Sequence, residues 1–176
     1  QRQGFYDPKN PEMKGSEDTD SKDDDEVLTI EEASRKLRSP MLSFSNTDMA
    51  FKDNLLVAGS YHGFNIYELQ DNGIPNLITS VVCPGGQGDV SVVGNILIMS
   101  VEETRGRVDC GLDGVGPDAS PERFRGIRIF DISNIKKPKQ VGAVQTCRGS
   151  HTHSVVAGPT ADNLSLIHIS EPTRPL

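Results

Sequence analysis

Two pairs of segments in this sequence align with each other without gaps, and this self-similarity constrains the fold more than any other feature. Residues 48–57 align with residues 89–98, 41 positions further on, and residues 63–69 align with residues 126–132, 63 positions further on. Short modules repeated about every 40 residues bury their faces only against their neighbours. The difference between the two spacings places an insertion within residues 101–125.

Short runs rich in β-branched and aromatic residues follow one another from residue 45, and no helical pattern separates them. Such runs predict strands, and without crossover helices the strands should be antiparallel. A third start occurs at His153, which aligns with Asp89 at a spacing of 64. We therefore predict an all-β fold over residues 45–163. It is an incomplete β-propeller with two four-stranded blades, at about 48–88 and 89–152, and the start of a third.

The segment before residue 45 has a different composition. Residues 1–28 are poor in apolar side chains and include an acidic run, which predicts a disordered acidic leader. Thr29 and Glu32 then show capping-box spacing, followed by apolar residues at helical spacing. We predict a short amphipathic helix over residues 29–39.

The charge balance excludes one class of partner. With 18 basic and 25 acidic side chains the net charge is −7, which argues against a nucleic-acid binder. No apolar run approaches the roughly 18 residues that a membrane-spanning helix needs, so we predict no transmembrane segment.

The glycine-led strands at 63–69 and 126–132 resemble the motif of the LVIVD-repeat family of bacterial β-propellers. The segments 82–89, 99–107 and 147–153 strengthen this resemblance. It implies a largely uncharacterised protein that is secreted, periplasmic or held at the cell surface. We expect a binding scaffold for a protein or glycan partner, monomeric when the ring is complete. The alternative is a metal-dependent hydrolase or oxidoreductase with its site at the channel mouth.

Polar residues recur at the starts of the predicted innermost strands, which line the channel of a propeller. His151 and His153 are two residues apart, a spacing that places side chains on the same side of a strand. With Asp48 and Asp89 as oxygen ligands they form a candidate site for a divalent metal. Alternatively, these side chains bind main-chain groups where two blades meet.

The insertion is the second candidate site, because long loops on a rigid scaffold commonly carry binding residues. Its arginines offer paired donors for carboxylate or phosphate groups, or they pair with its glutamates and hold the loop. The candidate residues are Glu102, Glu103, Arg105, Arg107, Arg123 and Arg125.

Three cysteines leave the redox state open. A disulfide from Cys110 to Cys147 or to Cys83 would anchor the insertion over the blades in an oxidising compartment.

The end of the chain has an unusual sequence. Residues 164–174 resemble the translation of a transposase adapter used to prepare sequencing libraries. We therefore expect residues 164–176 to be non-native, and His168 is excluded from the candidate sites.

Overall fold

The computed structural model describes residues 4–6, 45–116, 118–158 and 163–169. This part of the chain contains eleven strands in three antiparallel sheets and no helix, which confirms the predicted all-β, antiparallel class. Accordingly, no helix in the described ranges could span a membrane. The helix predicted over residues 29–39 lies outside the described residues.

The first sheet has the strand order β1-β5-β4-β3-β2. Its strands are β1 (Gly4–Tyr6), β2 (Asn46–Lys52), β3 (Leu55–Ser60), β4 (Gly63–Leu69) and β5 (Pro75–Val82). Strand β1 falls within the predicted disordered leader, and this difference has a simple cause. The outer edge of β5 presents unpaired main-chain groups, which can pair with a segment of almost any composition.

The second sheet is a four-stranded meander with the order β6-β7-β8-β9. Its strands are β6 (Val90–Val93), β7 (Ile96–Val101), β8 (Gly126–Asp131) and β9 (Lys139–Gln145). The third sheet is the antiparallel pair β10 (Thr152–Ala157) and β11 (Leu164–Ile169).

The first two sheets agree in their irregularities as well as in their strand order. In the first sheet the pairing register between β4 and β5 shifts just after Ile66. In the second sheet the register between β8 and β9 shifts just after Ile129. Gly63 and Gly126 begin the third strand with φ values of 138° and 143°. Both are needed there, because a Cβ would collide with the carbonyl oxygen of the neighbouring strand.

The core lies between the first and second sheets. Phe64 and Phe130 meet edge to face across it, with ring centroids 4.9 Å apart, and both are fully buried. Each large apolar side chain removed from water here contributes about 1.5–3 kcal/mol. On the opposite face of the first sheet, Met49 and Phe51 of β2 are 59% and 62% exposed.

A carboxylate connects each sheet to the next. Asp48 accepts a hydrogen bond from the main-chain N–H of Val90 at 3.1 Å, and Asp89 accepts one from that of His153 at 3.2 Å. His153 is therefore the structural counterpart of Val90, 63 residues earlier, and the sequence alignment of His153 with Asp89 is one residue out of register. The counterpart of Asp89 is Thr152.

We expect Gly126→Ala to lower the free energy of unfolding by about 2–3 kcal/mol, because alanine does not tolerate this φ and its Cβ meets the carbonyl of Val144. Gly142→Ala is the matched control in β9. Its Cβ would make only an ordinary 3.5 Å contact with Ile129, so the change should be within about 0.5 kcal/mol. Urea unfolding followed by circular dichroism compares the two, and equal losses would contradict the strand geometry.

Candidate functional site

The insertion occupies residues 102–125, between β7 and β8, where the first sheet has only the two-residue turn 61–62. It is covalently attached to the first sheet, because Cys110 forms a disulfide with Cys83 just after β5. Both cysteines are buried. Of the two pairings that the sequence left open, this is the one present, and Cys147 is a free, exposed thiol.

Arg107 is the centre of an ion cluster inside the insertion. Its guanidinium donates to Asp109 at 2.7 Å and to Glu122 at 2.5 Å. Hydrogen bonding from Arg107 lowers the pKa of Asp109 to about 2. These acids differ from the ones that the sequence suggested, since Glu102 bonds instead to His151.

Other arginines of the insertion bind main-chain carbonyls. Arg123 donates to the carbonyls of Thr104, Gly116 and Asp118, which draws the loop around its side chain. Arg125 donates to the carbonyl of Cys147 in the segment between β9 and β10. These contacts of Arg107, Arg123 and Arg125 are internal to the protein and hold the insertion in one shape.

Glu103 forms a tight local turn in the same loop. Its carboxylate accepts hydrogen bonds from the main-chain N–H of Arg105 at 3.0 Å and from the hydroxyl of Thr104. The carbonyl of Arg105 accepts the N–H of Val115, which closes the opposite side of the loop.

A fully buried arginine that the sequence reasoning missed supports the base of the insertion. Arg128 of β8 donates to the carbonyls of Cys83, Pro84 and Arg107, and its guanidinium lies 5.4 Å from the Phe124 ring. Burial lowers its pKa to about 10. The available signal was a charged residue in a strand whose neighbours on both sides are isoleucines.

A polar network lies where β10 meets the second sheet. The Ser100 hydroxyl is 2.9 Å from both the Ser150 hydroxyl and Nδ1 of His153, and all three residues are buried. Burial lowers the pKa of His153, against the opposing effect of Asp89 and Asp48. The sequence reasoning identified His153 but missed both serines, which have no distinctive spacing.

The four predicted metal ligands have other partners. Asp48 and Asp89 accept main-chain N–H groups, His151 Nδ1 is 2.6 Å from Glu102, and His153 Nδ1 contacts Ser100. Across the described residues, no group of three or more histidine, cysteine or acidic side chains is arranged to hold a metal ion. What the geometry does assemble is the contact between His151 and Glu102, which joins the insertion to the start of β10.

An apolar groove lies between the second sheet and the third. Ile98, Ile127 and Ile129 form one wall, and Leu164 and Leu166 of β11 form another. Because β11 belongs to the segment that resembles adapter sequence, we assign no site to this groove.

The chain matches no protein-family model, no curated protein and no solved structure. The candidate site is therefore defined by its geometry alone. It is a rigid, disulfide-anchored insertion whose base contacts the polar start of β10.

We expect Cys110→Ser to lower the free energy of unfolding by about 3 kcal/mol, because the disulfide closes a chain segment with a separation of 27 residues. It should also speed tryptic cleavage at the arginines of the insertion. Cys147→Ser is the control and should change neither quantity, since that thiol is free and exposed. Unchanged cleavage in Cys110→Ser would show that the disulfide does not hold the loop.

The carboxylate of Asp109 should titrate differently once Arg107 is removed. In Arg107→Gln its pKa should rise from about 2 towards 3.8, because the strongest hydrogen bond to the ionised form is lost. In the parent protein this pair stabilises the fold above about pH 3.8, and the contribution disappears as the pH falls towards 2. Carbon-13 NMR titration measures the shift. Asp131 serves as the control, since hydrogen bonds from Ser133 lower its pKa independently.

Proposed function

We propose that this chain is part of a secreted β-propeller of the LVIVD-repeat kind, and that it acts as a binding scaffold for a protein or glycan. The first two sheets are two consecutive blades, and β10 begins the blade that follows them. The observation that carries this proposal is the correspondence between sheets. The contact from Asp48 to Val90 recurs, at the equivalent positions, as the contact from Asp89 to His153.

Two exposed apolar side chains of the first sheet also support a ring. Met49 and Phe51 are largely exposed, whereas Val90, the counterpart of Met49 in the second sheet, is only 3% exposed because the first sheet covers it. In a closed ring a further blade would cover Met49 and Phe51 in the same way. Repeated modules of this kind reach full stability only when each face has a neighbour.

The insertion is the proposed binding surface. Scaffold loops recognise partners well when they are held in one shape beforehand, because less conformational entropy is lost on binding. The disulfide and the arginine contacts supply that rigidity here, and Val108 and Leu112 remain 43% and 50% exposed on its surface. Exposed apolar side chains on a rigid, polar loop are suited to contact a partner.

The proposed location outside the cytoplasm is supported by the disulfide between Cys83 and Cys110. Structural disulfides persist in oxidising compartments and are rare in the cytosol.

The alternative function is a metal-dependent hydrolase or oxidoreductase. Metal analysis of the purified protein distinguishes it from a binding scaffold. A stoichiometric ion that is lost in the double variant His151→Ala/His153→Ala would favour the enzyme. We expect the scaffold instead, since the described contacts of these histidines are with Glu102 and Ser100.

Placement of a photo-cross-linking residue tests the binding surface directly. Benzoylphenylalanine at position 112 should capture a partner on cells that display the protein, because Leu112 is exposed on the insertion. The control position is Ile74, which is 61% exposed and lies just before β5, at the opposite end of that strand from Cys83. Capture at 74 alone, or at neither position while a glycan array is also negative, would contradict the proposed function.

A further inference from the structure

The joint between the first and second sheets and the joint between the second sheet and β10 use equivalent positions but opposite chemistry. At the first joint Gly59 carries no side chain, and a Cβ placed there would lie 2.8 Å from the Gly88 carbonyl oxygen, 3.0 Å from the Thr47 hydroxyl and 3.1 Å from the Val90 side chain. At the second joint the counterparts are Ser100 and His153, which are hydrogen bonded at 2.9 Å. A glycine beside an aliphatic side chain is thus replaced at the second joint by a buried polar pair.

The hydrogen bonds at the second joint determine where the imidazole proton lies. The Ser150 hydroxyl is 3.0 Å from the carbonyl of Thr152, an oxygen that can only accept, so Ser150 donates there. Ser100 then donates to Ser150 at 2.9 Å. All contacts are satisfied together only if His153 donates its Nδ1 proton to Ser100. The assignment leaves Nε2 unprotonated, and this buried atom has no hydrogen-bond partner in the described part of the chain.

The surroundings of the ring agree with this neutral form. His153 is only 7% exposed, and its burial disfavours the charged imidazolium by lowering the pKa. The carboxylates of Asp89 and Asp48 oppose that effect without outweighing it. The main-chain N–H of His153 is held separately by Asp89, so the strand is positioned independently of the ring.

We infer that Ser100 makes this face of the second sheet selective for a strand that carries a side-chain N–H donor at the position of His153. An imidazole that is protonated on Nδ1, or the shorter carboxamide of asparagine, satisfies that requirement. An aliphatic side chain, such as Val90 or Met49 at the equivalent positions of the other sheets, leaves the buried Ser100 oxygen without the donor it accepts.

This selectivity would determine which sheet packs next to which in a stack of similar sheets. Apolar faces fit one another approximately in any order, so their burial alone does not determine which sheet follows which. The polar pair of Ser100 and His153 occurs at only one of the two joints. It therefore distinguishes β10 from the first sheet of a second copy of the chain, which carries Met49 at the position of His153. The inference rests on the two described joints and holds whether or not a ring closes.

Isosteric variants of His153 in the full chain provide the test. Asparagine places its amide nitrogen close to the position of Nδ1, whereas glutamine places it close to that of Nε2. Docking is measured as hydrogen exchange at the main-chain N–H of Ser150, which bonds to Val101, and the N–H of Cys83, which bonds to His62, reports the intact first sheet. His153→Asn should exchange within about threefold of the parent at Ser150, and His153→Gln and His153→Val about tenfold faster, with Cys83 unchanged.

A double variant separates recognition from simple loss of contacts. Ser100→Gly/His153→Val copies the first joint. Its exchange rate at the Ser150 N–H should be within about threefold of the parent's, although each single change should raise that rate about tenfold. Additive losses in the double variant would overturn the inference. The inference would also be overturned if His153→Gln kept the protection of the Ser150 N–H and His153→Asn lost it. In that case Nε2, and not Nδ1, would be the atom that contacts Ser100.

Discussion

Two carboxylates set the register of this structure. The carboxylate of Asp48 accepts the main-chain N–H of Val90 at the start of β6, and that of Asp89 accepts the N–H of His153 near the start of β10. Apolar packing between two sheets is strong but not directional, so it tolerates sliding. A hydrogen bond from a main-chain N–H to a carboxylate acceptor fixes the relative position along the strand. The core around Phe64 and Phe130 can then pack in one arrangement.

The insertion depends on that register, because its attachments come from both sheets. Cys83 lies at the end of the first sheet, whereas Arg128, whose guanidinium binds the carbonyls of residues 83 and 84, lies in the second. Shifting one sheet by a residue would separate Arg128 from these acceptors and leave a buried cation without them. The loop shape is thus coupled to the stacking of the sheets, and its exposed apolar residues are presented from a fixed base.

The sequence predicted the class of fold well, since strand order and turns follow local patterns. The glycines at 63 and 126 indicate equivalent strands from the sequence alone. The start of the third unit was misaligned by one residue, because His153 resembles Asp89 in polarity whereas its true counterpart, Val90, is apolar. Register of this kind is determined by the N–H that Asp89 binds, a contact between residues 64 positions apart that no local pattern encodes.

The site was less predictable for a related reason. The sequence singled out the arginines of the insertion as candidate ligand donors, but whether an arginine is available depends on three-dimensional partners such as Asp109 and Glu122. The choice between Cys83 and Cys147 as the partner of Cys110 also required the folded distances. Ser100 and Ser150 could not be identified at all, because the role of a buried serine depends on the side chains that it contacts in the folded protein.

Hydrogen exchange at the Val90 amide tests the central role of the carboxylates most directly. In Asp48→Ala we expect exchange about tenfold faster at the Val90 amide, with exchange at the His153 amide, held by Asp89, unchanged. In Asp89→Ala the pattern should reverse. Equal exchange at both amides in the two variants, or no change in either, would show that apolar packing alone sets the stacking of the sheets.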